Sequence, residues 1–436
     1  MFNRGIFLIN FYKIFYYEPI NYFSFGSFSI GFDNISIFFL LLTSFIICTC
    51  ILYTKDYILD KNYNFYLICF FLIEYFLFNA FLTFDIFFFF VYFESTVIPM
   101  FLIIIFWGSR SRKIKASFYL LMYAVFSSIF FILSVIIIWS NVGSLNIIIL
   151  KYFYWDYNLQ LILWFFIFLT FAAKIPIFPF YIWLPEAHVE ASTTGSVILA
   201  SLILKLGSYG IIRILIPIFY YSSKFFSPLI NSLSFLGVFY CSLIAIRQID
   251  IKKIIAYSSI VHMNYIVIGL FSFNLFSYMG GIFMMLAHGI TSSALFFLAG
   301  SLYDRFKSRI IFYYSGLVFI MPLYCFFLFY FLFCNLGFPG SINFIGEILI
   351  LIGLINYSFF FFLIILFSFF LSVIYSIWLP NRIVFGNIIF LKNYFDLDER
   401  ELLVILSYFF LSIYLGIFPN FFLKTLVSSS FFFFYF

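Results

Sequence analysis

Six ionisable residues lie in stretches too apolar to hold a charge cheaply: Glu94 in FFFFVYFESTVIPM, Lys174 in FLTFAAKIPIFPF, Lys205 in LASLILKLGSYG, His262 in AYSSIVHMNY, His288 in MMLAHGITSSALF and Glu347 in INFIGEILIL. A charge at the centre of a bilayer costs about 2.5–3.5 kcal/mol on insertion scales, so each needs a partner or a use. Glu94 and Lys174 are of opposite sign and would neutralise each other. A lysine in an apolar site that loses its carboxylate partner gives up its proton more readily, because desolvation disfavours the charged form. The bland alternative is a static ion pair that fixes helix register.

Lys205 has no acidic residue near it in sequence, although Gly207 and Gly210 allow a neighbouring helix to come close. Its alternative is a lysine that snorkels to the membrane surface, with Arg213 marking a span end. His262 and His288 fall on successive apolar runs among Ser258, Ser259, Thr291, Ser292 and Ser293. Histidine titrates near neutrality and, with hydroxyls beside it, suits a proton relay; a satisfied core histidine is the alternative. Glu347 closes the series behind Gly337-Phe338-Pro339-Gly340. Asp85 reads as the start of a helix, Glu74 as a residue facing a partner or headgroups, and His188, between Pro185 and Glu190, as a loop-ordering residue rather than a relay.

The elements that must position these groups are membrane spans. Of 436 residues, 66% are hydrophobic and only 9% charged, with a mean hydropathy of +1.16, which excludes a soluble domain. The chain reads as an all-α polytopic membrane protein. Its 77 Phe and 34 Tyr point to AT-rich codons and hence to an organellar genome. Six cysteines lie in apolar stretches without CxxC or Cys/His spacing, so no disulfide framework and no metal site are expected. No phosphate loop, dinucleotide fingerprint, haem or iron–sulfur spacing is present, and the expectation is ion movement with no cofactor held by this chain. The N-terminus MFNRGIFLINFYKIFYY matches neither a signal peptide nor a transit peptide.

Runs long enough to cross about 30 Å of hydrocarbon fall at 34–54, 64–82, 84–107, 115–139, 159–184, 192–220, 227–247, 252–270, 277–301, 321–355, 358–378 and 402–423, about twelve spans. The run 321–355 is too long for one helix, and Pro339 with its glycines should break it. The basic groups Arg110–Lys115, Arg247–Lys253 and Arg305–Arg309 then fall on one side. The positive-inside rule puts that side in the matrix or cytoplasm and both termini opposite. The net charge of +6 is thus a topology signal, compatible with lipid headgroups, and no nucleic-acid signature is visible. The whole chain, 1–436, reads as a single transmembrane domain, with an N-terminal segment 1–33, a helical core 34–423 and a C-terminal tail 424–436. Lys174 followed by Pro176 and Pro179, and Pro339 followed by Glu347, each join a helix break to an ionisable group. Paired breaks of this kind point to an inverted-repeat transporter with a midplane site.

The run KIPIFPFYIWLPEAHVEASTTGSVILASLILKLGSYGIIR, with YFESTVIPM before it and AYSSIVHM, LAHGITSSALFFLAGSLYDR, NLGFPGSINFIGEILIL and LDERELLVILSYFFLSIYLGIFPN after it, resembles the antiporter-like chains of NADH-ubiquinone oxidoreductase, respiratory complex I. The resemblance is closer to its chain 4 family than to the sister chains 2 and 5, and the lysine-bearing WLP segment is shared with Mrp-type cation/proton antiporters. It implies an antiporter-like fold with inverted repeats and two broken helices, in the mitochondrial inner membrane. It further implies that Glu94 pairs with a proton-loading Lys174, that Lys205 links to a hydrated axis containing His262 and His288, and that Glu347 stands toward the exit. NADH, flavin, iron–sulfur clusters and ubiquinone would belong to partner subunits, with chains 2 and 5 as membrane neighbours.

Two residues depart from the pattern: Tyr181 stands where relatives have histidine, and Ser192 where they have proline. Relatives also have about fourteen spans, so the first two family helices are expected to be missing, with a small two-helix polypeptide or neighbouring subunits in their place. The alternative functions are an Mrp-type antiporter subunit and a structural membrane subunit without transport.

Overall fold

The computed structural model describes residues 21–25, 28–54, 62–387 and 395–434. A short antiparallel hairpin, β1 (Asn21–Phe25) and β2 (Phe28–Phe32), precedes the helices, with Asn21 opposite Phe32 and Ser24 opposite Ser29. The helices are α1 (Asn34–Tyr53), α2 (Tyr63–Leu82), α3 (Ile86–Trp107, interrupted at Thr96), α4 (Lys113–Val142) and the short α5 (Ile147–Tyr152). They continue with α6 (Tyr157–Lys174), α7 (Trp183–Glu190), α8 (Thr193–Ile218), α9 (Tyr220–Arg247), α10 (Ile251–Phe271) and α11 (Leu275–Phe306). The last are α12 (Pro322–Asn335), α13 (Ile342–Tyr357), α14 (Phe359–Val384), α15 (Glu399–Ile417) and α16 (Asn420–Phe434).

Among the described residues 11 helices are long and apolar enough to cross a membrane, and α12 and α13 are shorter apolar helices. Their starts follow from local chemistry. The Asp85 carboxylate accepts from the N–H groups of Phe87 and Phe88 at 2.9 and 3.3 Å, capping α3 as its place in the sequence suggested. The Ser192 hydroxyl caps α8 by accepting from the Gly195 N–H at 3.2 Å and lies 2.9 Å from the Tyr66 hydroxyl.

Two spans are broken. The run 321–355 divides at residues 336–341 into α12 and α13, where Gly337 and Gly340 take φ of +75° and +91°, a region that favours glycine. The run 159–184, read from its apolarity as one span, ends instead at Lys174; residues 175–182 turn, and α7 continues. Pro176 and Pro179 withhold N–H groups and bias the preceding residues away from helix. The Trp183 indole N–H donates to the Ala173 carbonyl at 2.9 Å and ties the two halves together. Residues assigned to a C-terminal tail enter α16, and the N-terminal segment contains the hairpin, so the helical bundle carries one small β element.

The helices form two shells. Those at the centre, α8, α10 and α11, have apolar windows 100%, 94% and 100% buried, whereas α2, α4, α14 and α15 are only 39%, 33%, 33% and 28% buried, which marks them as the outer ring. One end of the bundle, the hairpin face, joins Ile30 to Thr83 and Asp85 to Asn146 by single bridges. The other, the basic face, collects the three basic loops. There Ser109 N–H donates to Glu190 O at 3.2 Å, Ile251 N–H to Arg309 O at 3.0 Å, and the Arg309 guanidinium to Val189 O and the Ser109 hydroxyl. Residues 1–20 and 435–436, which carry the two chain ends, lie outside the described residues. All six cysteines are free and five are buried.

Candidate functional site

Lys174 is the last residue of α6, so its side chain leaves the helix where the break begins. It is 4% exposed. Its ammonium lies 3.8 Å from the Glu94 carboxylate, donates to the Phe93 carbonyl, and sits 3.2 Å from the centroid of the Phe93 ring. The carbonyl is available because α3 is interrupted at Thr96 with Pro99 just beyond, and Thr96 turns its hydroxyl back on Phe93 O at 2.9 Å. At 3.8 Å the pair is attracted without a direct hydrogen bond, an arrangement that either partner can leave. A cavity of about 20 Å³ opens beside it, lined by Lys174, Met100, Leu120, Tyr123, Trp183 and Ile203. That is about the volume one water needs.

Lys205 is fully buried on α8, which excludes snorkelling. Helix α8 reaches α6 where its glycines suggested: a side chain at Gly207 would overlap Ile175 and one at Gly210 would overlap Phe171. Just before Lys205, residues Leu199–Ile203 form a π turn, a local widening that recurs at functional sites. The Lys205 ammonium donates to the Ala200 carbonyl at 2.5 Å and lies 2.7 Å from Nδ1 of His288 on α11. The contact is one hydrogen bond whose direction depends on which of the two side chains carries the proton. The partner missing from the local sequence is therefore a histidine 83 residues away.

From His288 the file continues. Its ring centroid is 5.5 Å from that of His262 on α10, and His262 Nδ1 is 3.9 Å from Oε1 of Glu347 on α13. Both histidines are buried, Glu347 is 6% exposed, and His288 Nε2 and Glu347 Oε1 have no hydrogen-bond partner among the described residues. The Glu347 carboxylate lies over Gly337 in the second helix break, where a Cβ would meet it. So Lys205, His288, His262 and Glu347 form one buried file, and Glu94 with Lys174 forms a pair one helix away.

Other buried polar residues near the site escaped the sequence reading. His188, read as a loop residue, is fully buried on α7, stacked on Phe296 at 4.6 Å and within electrostatic reach of Lys205 and Lys252. Lys252, read as a topology charge, is 2% exposed and donates to the Ala191 carbonyl at 3.1 Å. Asn335, the last residue of α12, faces His262. Arg213 is paired with Asp33 across 180 residues. For Lys252, Asn335 and Arg213 the sequence signal was polarity inside a membrane-length run, and what it lacked was the partner; His188 lies between two such runs and gave no such signal. Among the described residues, no three His, Cys, Asp or Glu side chains come together as a metal would require.

Lysines lie at a helix break and behind a π turn, and a file runs through two histidines to a glutamate at a second break. The family described as NADH:quinone oxidoreductase/Mrp antiporter, TM, matches residues 83–374. The chain belongs to that family. Among its relatives, NADH-ubiquinone oxidoreductase chain 4 of Chondrus crispus is 45% identical over 405 residues, 92% of this chain and 82% of that one. Chain 4 of Acanthamoeba castellanii is 46% identical over 392 residues, covering 89% and 78%. The fold is that of a chain of respiratory complex I from Thermus thermophilus (TM-score 0.87, 24% identity, 96% and 90% covered) and of a chain of the Mrp complex from Dietzia sp. DQ12-45-1b (0.83, 18%, 91% and 83%).

Proposed function

We propose that this chain is the proton-translocating, antiporter-like subunit of the membrane arm of NADH:ubiquinone oxidoreductase, a multi-pass protein of the mitochondrial inner membrane. The reading rests on chain 4 relatives at 40–46% identity over most of the chain and on one observation within the site. One buried lysine, two buried histidines and a buried carboxylate form a file through the three innermost helices and the second break, with a second buried lysine paired to Glu94 beside it.

In this reading Lys174 holds a proton while Glu94 is near and releases it when the pair opens. Lys205 takes up the charge and passes it to His288, whose neutral ring accepts at Nδ1; His262 and Glu347 carry it onward, and Glu347 is the exit-side group. Each proton works against about 2.3 kcal/mol per 100 mV of membrane potential. That work comes from quinone reduction in partner subunits, which hold NADH, flavin, iron–sulfur clusters and ubiquinone. Chains 2 and 5 are the membrane neighbours of this reading, and the basic face is turned to the matrix.

The Mrp likeness favours a second reading, a cation/proton antiporter, which a single experiment separates. In the assembled complex, Lys174→Ala should leave NADH oxidation running while NADH-driven proton pumping falls. Unchanged pumping would remove Lys174 from the path, and sodium or potassium exchange without any electron donor would favour the Mrp reading.

A further inference from the structure

Helix α8 runs through the protein between its two faces, beginning at Thr193 on the basic face, ending at Ile218, and buried along its apolar length. Lys205 stands midway. A proton that reaches it has two ways on: sideways to His288, or along α8 to the hairpin face. Transport that does useful work requires the second way to be shut.

The structure has a barrier in that place. Arg213 follows Lys205 by eight residues on α8, about 12 Å at 1.5 Å per residue. It is 8% exposed, its guanidinium is bonded to the carboxylate of Asp33, and it lies 4.3 Å from the centroid of the Phe84 ring. Asp33 precedes α1 and follows β2 directly, so the pair joins the hairpin face to α8. Between Lys205 and Arg213 lies Tyr209, ringed by Phe39, Phe81 and Phe89 at centroid distances of 5.7, 5.0 and 6.4 Å. The Tyr209 hydroxyl is committed to the Phe81 carbonyl at 2.8 Å. This layer is aromatic and buried, and the group behind it is an arginine, which does not lose its proton in proteins.

We propose that the Asp33–Arg213 pair and the aromatic layer beneath it seal the hairpin-face end of α8, so that a proton on Lys205 leaves through His288. The proposal rests on the proton-translocating reading above. Arg213 is a fixed positive charge that repels an incoming proton, and Asp33 compensates its burial. Asp33 would itself be a proton-carrying group if Arg213 were absent, so the seal has a weak member that Arg213 silences.

This asymmetry supplies the test. The whole complex is reconstituted in proteoliposomes, and passive leak is read from the decay of an imposed pH gradient without NADH, followed by NADH-driven pumping in the same vesicles. Arg213→Gln is expected to raise passive leak about tenfold, because it removes the barrier and leaves a free carboxylate. Asp33→Asn keeps the cation and should leak less than Arg213→Gln, and Asp33→Asn/Arg213→Gln should also leak less than Arg213→Gln alone. A pair that merely holds the hairpin in place would make the two single variants equivalent; that result, or wild-type leak in Arg213→Gln, overturns the seal. If Arg213→Gln does not assemble, Arg213→Lys replaces the arginine by a cation that can lose its proton, and leak at the wild-type level then overturns the proposal. A wild-type complex that oxidises NADH without acidifying the vesicles would instead overturn the functional reading.

Discussion

Gly337→Ala perturbs the proton file without touching any of its ionisable residues. Gly337 holds φ at +75°, where an alanine costs about 1–2 kcal/mol, and its new methyl would come within 2.7 Å of Glu347 Cδ. The carboxylate must retreat from its place 3.9 Å from His262 Nδ1. With an effective dielectric constant of about 20, a retreat of about 2 Å weakens its attraction to a protonated His262 from about 4.3 to about 2.8 kcal/mol. That loss is about tenfold in any step that needs the pair. NADH-driven pumping and NADH oxidation are measured on the assembled complex, with native gels reporting assembly. The expected result is assembled complex with pumping about tenfold slower. Glu347→Gln should share the defect, and Gly337→Ala/Glu347→Gln should be no worse than Glu347→Gln alone, since both act on one interaction. Wild-type pumping in Gly337→Ala, or additive losses in the double variant, would refute the reasoning.

Arg305 binds Glu401 through two parallel bonds of 3.1 and 2.6 Å and also reaches Phe395 O, Asp396 O and Ser301 O, clamping the end of α11 to the start of α15. Arg305→Lys cannot make the two-pronged contact and should cost about 1.5–3 kcal/mol, read as a lower thermal midpoint of the purified complex; Glu401→Gln should add little on top. Gly210→Leu forces a side chain into the Phe171 ring and should cost about 1–3 kcal/mol, read as a smaller yield of assembled complex on native gels.

Much of the site was legible because a membrane makes charge conspicuous. Glu94, Lys174, Lys205, His262, His288 and Glu347 are polar residues in runs otherwise built of Phe, Ile and Leu, and the cost of burying them singles them out. The helix breaks were legible for a covalent reason, the missing N–H of proline and the backbone freedom of glycine. Apolarity alone misled at 159–184, since an apolar turn scores like an apolar helix; only Pro176 and Pro179 announced where α6 stops. The helical start at Asp85 followed from its short carboxylate, a local interaction that needs nothing from the rest of the fold.

The chain's own order of residues therefore determined its class, its spans, its breaks and the residues that bear charge, all properties of neighbours within a few turns. Partnership was decided only in three dimensions. Lys205 meets His288 across 83 residues, Arg213 meets Asp33 across 180, and Arg309 reaches Val189 across 120, because the helices carrying them pack side by side in the bundle. Whether Lys252 faces water from a loop or lies buried against Ala191 depended in the same way on which loops the bundle brings to one end. Polarity is written residue by residue, whereas the pairing that makes a buried charge tolerable comes from packing contacts between distant segments, on which local sequence is silent.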